Sequence, residues 1–366
     1  METKRKIWID IEEPKTGIMF KSLIDRLHQH NYKILLTARD YDSTFQILDQ
    51  FGFKYYKVGH HGGESLENKL KSYIERLNDL FSLVVKFKPN YFITFSSVEG
   101  ARISYGLNIP SIGYNDEPRN IPVCKLILPF LDKIIVPQCV PKEWYLKLHA
   151  DPEKLISYNG IDEIAWLNHY TPNPKILERF DLIKGRYVIL RTEPSFASYF
   201  IDKLDPYISL IGNFLPDLIK EFPDLKYIII VRTEKQESYF RQKFKGEINK
   251  NIILTRFMPN MVDLCFYASL VISGGGTIVR EASLLGVPSI EFFPGETAPQ
   301  EHFLMKNGFP LLHVKESAQI LEESLKILTK GPSSDRFSLS FKESLKLYEN
   351  PNDVCFNIVN RELLNL

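Results

Sequence analysis

The chain has 366 residues, too many for one ordinary hydrophobic core, and 46 Lys and Arg against 45 Asp and Glu leave a formal charge of +1. That balance excludes a generally basic surface for wrapping nucleic acid. No apolar run approaches the roughly 18 residues of a spanning helix, and METKRKIWID is charged and leads straight into a strand, so the expectation is a cytoplasmic protein of two domains.

In chain order, KIWIDI, YKILLTA, KYYKV, YFITF, PSIGY and KIIVP are short runs, β-branched and apolar on both faces. Between them lie longer amphipathic stretches such as residues 66–85, where Leu70, Tyr73, Ile74, Leu77, Leu80, Phe81 and Val84 stand at helical spacing. This is the pattern of parallel strands covered by helices, and the class is α/β. VCKLILPFLDKIIVP is rich in aliphatics and reads as a buried helix and strand rather than a membrane-facing surface. Cys124, Cys139, Cys265 and Cys355 have neither pair spacing nor nearby histidines, so they read as buried thiols and no metal site is expected.

Polar residues gather where these first strands end. Asp10, Glu12 and Glu13 follow KIWIDI, and Asp40 and Asp42 in RDYD read as caps of the next helix before they read as metal ligands. His61, beside His60 and followed by Gly62 and Gly63, is either a base or phosphate holder or part of an exposed turn. Asp116 and Glu117 in YNDEP are either caps or general bases, and Glu99 in FSSVEG is a candidate of the same kind.

IDEIAWLNHYTPNPKILERFDLIKGR breaks the pattern with prolines and mixed composition, which places a domain boundary near residue 165. The first domain is then 1–165 and the second 166–345. Strands resume with YVIL, KYIIIV, NIIL, LVIS and PSIEFF. Three of these run into arginine, at Arg191, Arg232 and Arg256, and a guanidinium at a strand end can clamp a diphosphate or pair with a loop carboxylate. Arg191 is the first choice for a clamp and Arg232 the next.

LVISGGGTIVREA carries the most specific chemistry in the chain. A strand that ends in Gly274, Gly275 and Gly276 before a helix brings backbone amides close to an anion, and Ser273 or Thr277 adds a hydroxyl or caps the helix. Glu281, one turn in, repels phosphate but accepts both hydrogen bonds of a ribose diol. The competing account is that the glycines serve tight packing and Glu281 is solvated. Thr297, in GETAP after the next strand, faces the same side or belongs to a plain turn. There is no GxxxxGK[ST], and GxGxxG fails at Val279, so a P-loop is excluded and a nicotinamide cofactor, which Glu291 at a following strand keeps open, is a minor option. No cofactor is expected. Pro351 opens a last helical pattern, within residues 346–366, that is free to leave the second domain.

KIWIDI with Pro14 and FKSLI, LLTARDYDST, FGFKYYKVGHHG, GLNIPSIGYNDEP, LRTEPSFASY and SGGGTIVREASLLGVPSIEFF together resemble the prokaryotic family called domain of unknown function 354. That family is similar to the GT-B group, which includes UDP-N-acetylglucosamine 2-epimerases and the N-acetylglucosamine transferase of peptidoglycan synthesis. The resemblance implies two Rossmann-like parallel-sheet domains facing a central cleft, with the 346–366 helix crossing back to the first. It also implies UDP phosphates on Ser273, Gly274 and Gly275 and the ribose on Glu281 before Ala282. Of the epimerases' histidine–arginine pair only Arg191 stands here, and Asp116 or Glu117 takes the place of their catalytic carboxylates.

The expected activity is a metal-independent glycosyltransferase using a nucleotide sugar, a UDP-sugar by preference. Asp116, Glu117 or His61 deprotonates an acceptor that the residues do not name, a glycan or a lipid-linked molecule among the options. A 2-epimerase is the runner-up, and a non-catalytic nucleotide-sugar-binding protein the reading from a different class. Oligomeric state is left open.

Overall fold

A computed structural model describes residues 5–63, 65–193, 209–292, 295–331 and 337–364. The chain forms two compact units, one of residues 1–168 and 346–366, the other of residues 169–345.

In the first unit β1 (Lys6–Ile11), β2 (Lys33–Asp40), β3 (Tyr56–His60), β4 (Tyr91–Phe95), β5 (Ser111–Tyr114), β6 (Lys133–Pro137) and β7 (Leu155–Tyr158) form one sheet in the order β3-β2-β1-β4-β5-β6-β7, every pairing parallel. The doubly apolar strands are explained by what covers them. Ile7, Ile9 and Ile11 face Phe20, Leu23 and Leu27 of the Pro14–Gln29 helix, together with Phe356, Val359 and Leu363 of the Pro351–Leu364 helix. One residue out of step, Trp8 faces the opposite layer with Leu80, Val84, Ala101 and Ile127. Each large side chain fully buried in this way contributes roughly 1.5–3 kcal/mol.

The second unit repeats the plan with β8 (Tyr187–Arg191), β9 (Lys226–Ile230), β10 (Ile252–Thr255), β11 (Leu270–Ser273), β12 (Ser289–Phe292) and β13 (Leu311–Val314), ordered β10-β9-β8-β11-β12-β13 and again parallel. Phe214, Leu215 and Leu218 of the Ile211–Glu221 helix close one face of this sheet. Strand order reverses between β1 and β4 in the first sheet and between β8 and β11 in the second, and such points are where open parallel sheets bind ligands.

The fold departs from the sequence reading in three places. Strands β7 and β13 lie outside the expected set; both are four-residue edge strands, LISY and LLHV, too short and too polar to stand out. The expected helix over 66–85 forms as Leu66–Phe87, yet Leu70, Ile74 and Phe81 are exposed and its buried line is Ser72, Arg76, Leu80 and Val84. Ser43, not Asp40 or Asp42, sits at the start of the Thr44–Gln50 helix, and Asp40 is the last residue of β2. PSIEFF forms its strand up to Phe292; Phe293 lies outside the described residues, as do Glu64 of the histidine loop and residues 194–208 after LRTE. No helix among the described residues is long and apolar enough to cross a membrane.

Candidate functional site

In the second unit the glycine turn stands at the reversal point, since Ser273 at the end of β11 is in register with Arg191 at the end of β8. The Gly274 amide donates to the Arg191 carbonyl at 3.1 Å, which extends the strand pairing into the turn. A Cβ on Gly274 would lie 2.7 Å from the Glu193 Cα, so the residue is required by close backbone packing. Gly275 is extended (φ −149°) at the start of the Gly276–Leu284 helix, and a Cβ there would sit 3.0 Å from Arg232 Nη2. A Cβ on Gly276 would overlap the Glu301 carboxylate. None of the three has a positive φ. The packing account therefore holds for Gly274, while Gly275 and Gly276 keep the helix start close to charged side chains.

The Ser273 hydroxyl is engaged inside the turn, accepting from the Gly275 amide at 3.0 Å and lying 2.9 Å from the Gly275 carbonyl oxygen. No side chain caps this helix, Thr277 included, although Thr277 Oγ1 lies 3.5 Å from Arg280 Nη2. Glu281 is not solvated: it is 4% exposed on the same helix. Arg232, anchored through Nε to the Thr192 carbonyl at 3.0 Å, joins the turn; Arg191 is half-buried beside it. Arg256 is exposed and pairs with Glu234 (3.1 Å) and Glu237 (3.5 Å), which is the structural reading of a strand-end arginine. Glu291 binds His313 at 2.9 Å, and Thr297 is half-buried ahead of the Pro299–Lys306 helix.

Glu301 in that helix was not singled out by sequence. Its carboxylate pairs with Arg280 at 2.8 Å and is 1% exposed. Burial, with the Glu291 charge in support, outweighs the pull of Arg280 and pushes its pKa up to about 7.

In the first unit the polar strand ends sort into two groups. Arg76, fully buried, donates to Asp10 at 2.8 Å and Glu12 at 2.9 Å and lies 3.1 Å from Glu99. Thr37 and Ser97 each donate to Asp10 at 2.6 Å. Three carboxyls around one guanidinium, with Arg39 at 3.4 Å from Glu12, cannot all ionise cheaply. Burial opposes the charge on Glu12, but Arg39 and Arg76 hold its pKa below the usual range; burial and the Glu12 charge push Glu99 up to about 8. Glu99, a candidate base by sequence, is thus drawn into a buried structural network.

The second group centres on Lys15, whose Nζ lies 2.6 Å from Asp116 and 2.7 Å from Asp162, with the Phe95 ring centroid at 4.6 Å. A cation in the first turn of a helix is unfavourable by itself, and the two aspartates neutralise it. Tyr158 donates to Asp162 at 2.6 Å. Burial, against Lys15 and with help from Asp116 and Glu163, pushes the Asp162 carboxyl up to about 7, and burial also raises Glu13 next door. The Asp116 loop is held rigidly, because Tyr145 donates to the Asn115 carbonyl at 2.8 Å and Asn115 donates to Ser96 at 3.1 Å.

Glu117 does not enter this group; it is partly exposed and pairs with Arg119, whose Nε donates at 2.6 Å. His61 follows edge strand β3, four strand spacings or about 19 Å from β5. Its Nδ1 accepts from the Gly63 amide at 3.1 Å, which leaves the neutral ring with its proton on Nε2, a donor rather than a ready base. Burial and Arg39 lower its pKa. The structure therefore brings Asp116 together with Lys15 and Asp162, two groups the sequence reading missed. The signal for them was present in Pro-Lys at a helix start and in Asn-Gly-Ile-Asp after the short strand β7.

A family model described as "Protein of unknown function (DUF354)" matches residues 5–362. Uncharacterized protein MJ0665 of Methanocaldococcus jannaschii is 26% identical over 331 residues, spanning 87% of this chain and 91% of that protein. Among solved structures, the M. jannaschii UDP-GlcNAc 2-epimerase in complex with UDP-GlcNAc and UDP superposes with a TM-score of 0.69 at 14% identity, covering 97% of this chain and 99% of that one. The glycotransferase of kitacinnamycin gives 0.61 at 11% identity, with 99% of each chain covered. At these identities the likeness establishes the fold: two Rossmann-like α/β units of the GT-B type.

Proposed function

We propose, for a chain that belongs to the DUF354 family of proteins of unknown function, the activity of a nucleotide-sugar-dependent enzyme, a glycosyltransferase in the first place. The observation that carries this reading is the Ser273–Gly276 turn at the β8/β11 reversal, opening a helix with Arg232 beside it and the buried Glu281 within it. The amides of the first helical turn and the Arg232 guanidinium suit a diphosphate, and Arg191 adds a second cation. Glu281 suits the ribose diol. UDP is the favoured nucleotide, in keeping with the UDP-GlcNAc and UDP bound by the similar M. jannaschii enzyme.

The first unit supplies the proton chemistry. Asp116, held by Lys15 and its rigid loop, is the base we assign to an acceptor's hydroxyl proton. The helix start and Arg232 stabilise the departing diphosphate. A second reading, 2-epimerisation, draws on one observation: Asp162, which burial raises to about 7, shares Lys15 with Asp116, so a carboxyl that holds its proton part of the time near neutrality stands beside a base. That arrangement suits moving a proton off and onto one sugar carbon.

The test is turnover of UDP-N-acetylglucosamine and other nucleotide sugars, with and without glycan and lipid-linked acceptors, by wild type and Asp116→Asn. The reading expects nucleotide release by wild type that falls about 10²–10⁴-fold in the variant while the nucleotide sugar still binds. Sugar conversion without any acceptor selects the epimerase. Equal turnover by both proteins removes Asp116 from the mechanism.

A further inference from the structure

Over one face of the first unit's sheet the helices are apolar outside as well as inside. The Leu66–Phe87 helix lays Ser72, Arg76, Leu80 and Val84 on the sheet and leaves Leu66, Leu70, Ile74, Phe81 and Val85 43–82% exposed, with Leu77 half-buried beside them. Steps of four, four, three, four and four residues keep these six in a stripe about 100° wide that runs along the helix for about 28 Å. Tyr105, Ile121, Leu126 and Leu146, on the helices that cover the same face, are exposed too. Over the opposite face, the Pro14–Gln29, Thr44–Gln50 and Pro351–Leu364 helices expose one large hydrophobic among the described residues, Leu364. Scattered apolar residues on a surface are ordinary, whereas a continuous stripe marks a contact.

The stripe is symmetric about its own centre. Leu66 and Val85, Leu70 and Phe81, and Ile74 and Leu77 each lie equally far from a midpoint between Glu75 and Arg76. Turned end for end, the helix presents the same apolar pattern, which is what a two-fold axis through that midpoint requires of a self-complementary surface. The charges obey the same rule. Glu67 and Lys86 stand on one flank of the stripe, one at each end, so across the axis Glu67 of one copy and Lys86 of the other come within about 3 Å of the same height along the helix. Antiparallel pairing also sets the two helix dipoles head to tail. Three acidic and three basic residues are exposed along the helix, a balance that suits a second copy and gives an anionic membrane no net attraction. We propose that the Leu66–Phe87 helix pairs antiparallel with the same helix of a second copy, burying Leu70 against Phe81 and Ile74 against Leu77 about a two-fold axis. One pair of helices is narrow beside the ~800 Å² that each partner of a standard complex buries, so the association is reversible, with a dissociation constant on the order of 1–50 μM, and the fold of each chain does not depend on it.

Sedimentation velocity over about 0.5–200 μM chain reads the association. Wild type is expected to pass from monomer to a species of twice its mass. Phe81→Asp and Leu70→Asp are expected to stay monomeric, their dissociation constants raised at least about a hundredfold, because the two-fold axis puts each substitution into the interface twice. Below ~0.5 μM all three are monomers, and there their thermal midpoints are expected to agree, which separates lost pairing from lost folding. Register is read by disulfide formation. Leu70→Cys/Phe81→Cys carries its two thiols about 16 Å apart in one chain, too far to join, and is expected to oxidise to a covalent dimer while either single variant stays unlinked. A wild type that is monomeric at ~200 μM, or a dimer that Phe81→Asp leaves intact, overturns the proposal. Linking by the single variants means parallel pairing and overturns it as well, and a monomeric wild type that floats with anionic vesicles gives the stripe to a membrane instead.

Discussion

Gly274 shows how far a single residue can be read. Its place before a helix suggested a ligand, and its backbone contact with Glu193 shows that packing alone already demands glycine. Gly274→Ala is expected to lower the stability of the second unit by about 1–3 kcal/mol in calorimetry, whether or not ligand is present. For Glu281 the sequence left a solvated carboxylate as the alternative, and its burial excludes that alternative. Asp162 was not legible, because its role comes from meeting Lys15 across some 147 positions of sequence, and no local pattern encodes that distance. Its raised pKa has a sign that can be checked. The folded state holds a proton there that the unfolded chain has lost, so stability falls as pH rises from the ordinary aspartate range through about 7. In Asp162→Asn that contribution is absent, and the first unit's midpoint is expected to decline less steeply between pH ~4 and ~7. An unchanged slope would mean that Asp162 ionises normally.

At the scale of elements, the longest helix of the first unit carries the sharpest contrast. Periodicity found Leu66–Phe87 but not its buried side, since apolar residues line both the face toward the sheet and part of the face toward solvent. What the helix buries instead is Arg76, inserted under the β1 strand end with Asp10 and Glu12. Arg76→Met leaves those carboxyls without their cation, at a cost of about 3–5 kcal/mol, whereas Ile74→Lys on the exposed face is expected to stay within about 0.5 kcal/mol. Thermal denaturation of the two variants separates these outcomes, the first falling by roughly 10 °C and the second hardly moving. The Gly59 backbone, at φ +72° and packed against Arg76, belongs to the same arrangement. Edge strands β7 and β13 escaped the sequence reading because four residues with one covered face give too little pattern, while the central strands, covered twice, announced themselves.

At the scale of the whole molecule, the chain builds two parallel-sheet units and returns to the first one with its final helix. Phe356, Val359 and Leu363 are buried there against the Pro14–Gln29 layer, and Asn352 donates to the Met19 carbonyl at 2.6 Å. A chain ended at residue 345 is expected to lose the first unit's calorimetric transition and to keep that of the second; retention of both would show that the helix is dispensable. The α/β class was legible from alternating strand and helix patterns. The assignment of a donor to the second unit depends on chemistry at strand ends, and it stands or falls with one binding event. The most direct measurement is the thermal stabilisation of wild type and Glu281→Ala by a panel of nucleotides and nucleotide sugars. The account predicts that at least one nucleotide sugar, at a hundred times its dissociation constant, stabilises the second unit of wild type by about 2.7 kcal/mol and that of Glu281→Ala much less. A folded wild type that no member of the panel stabilises would contradict it and return the glycine turn to packing.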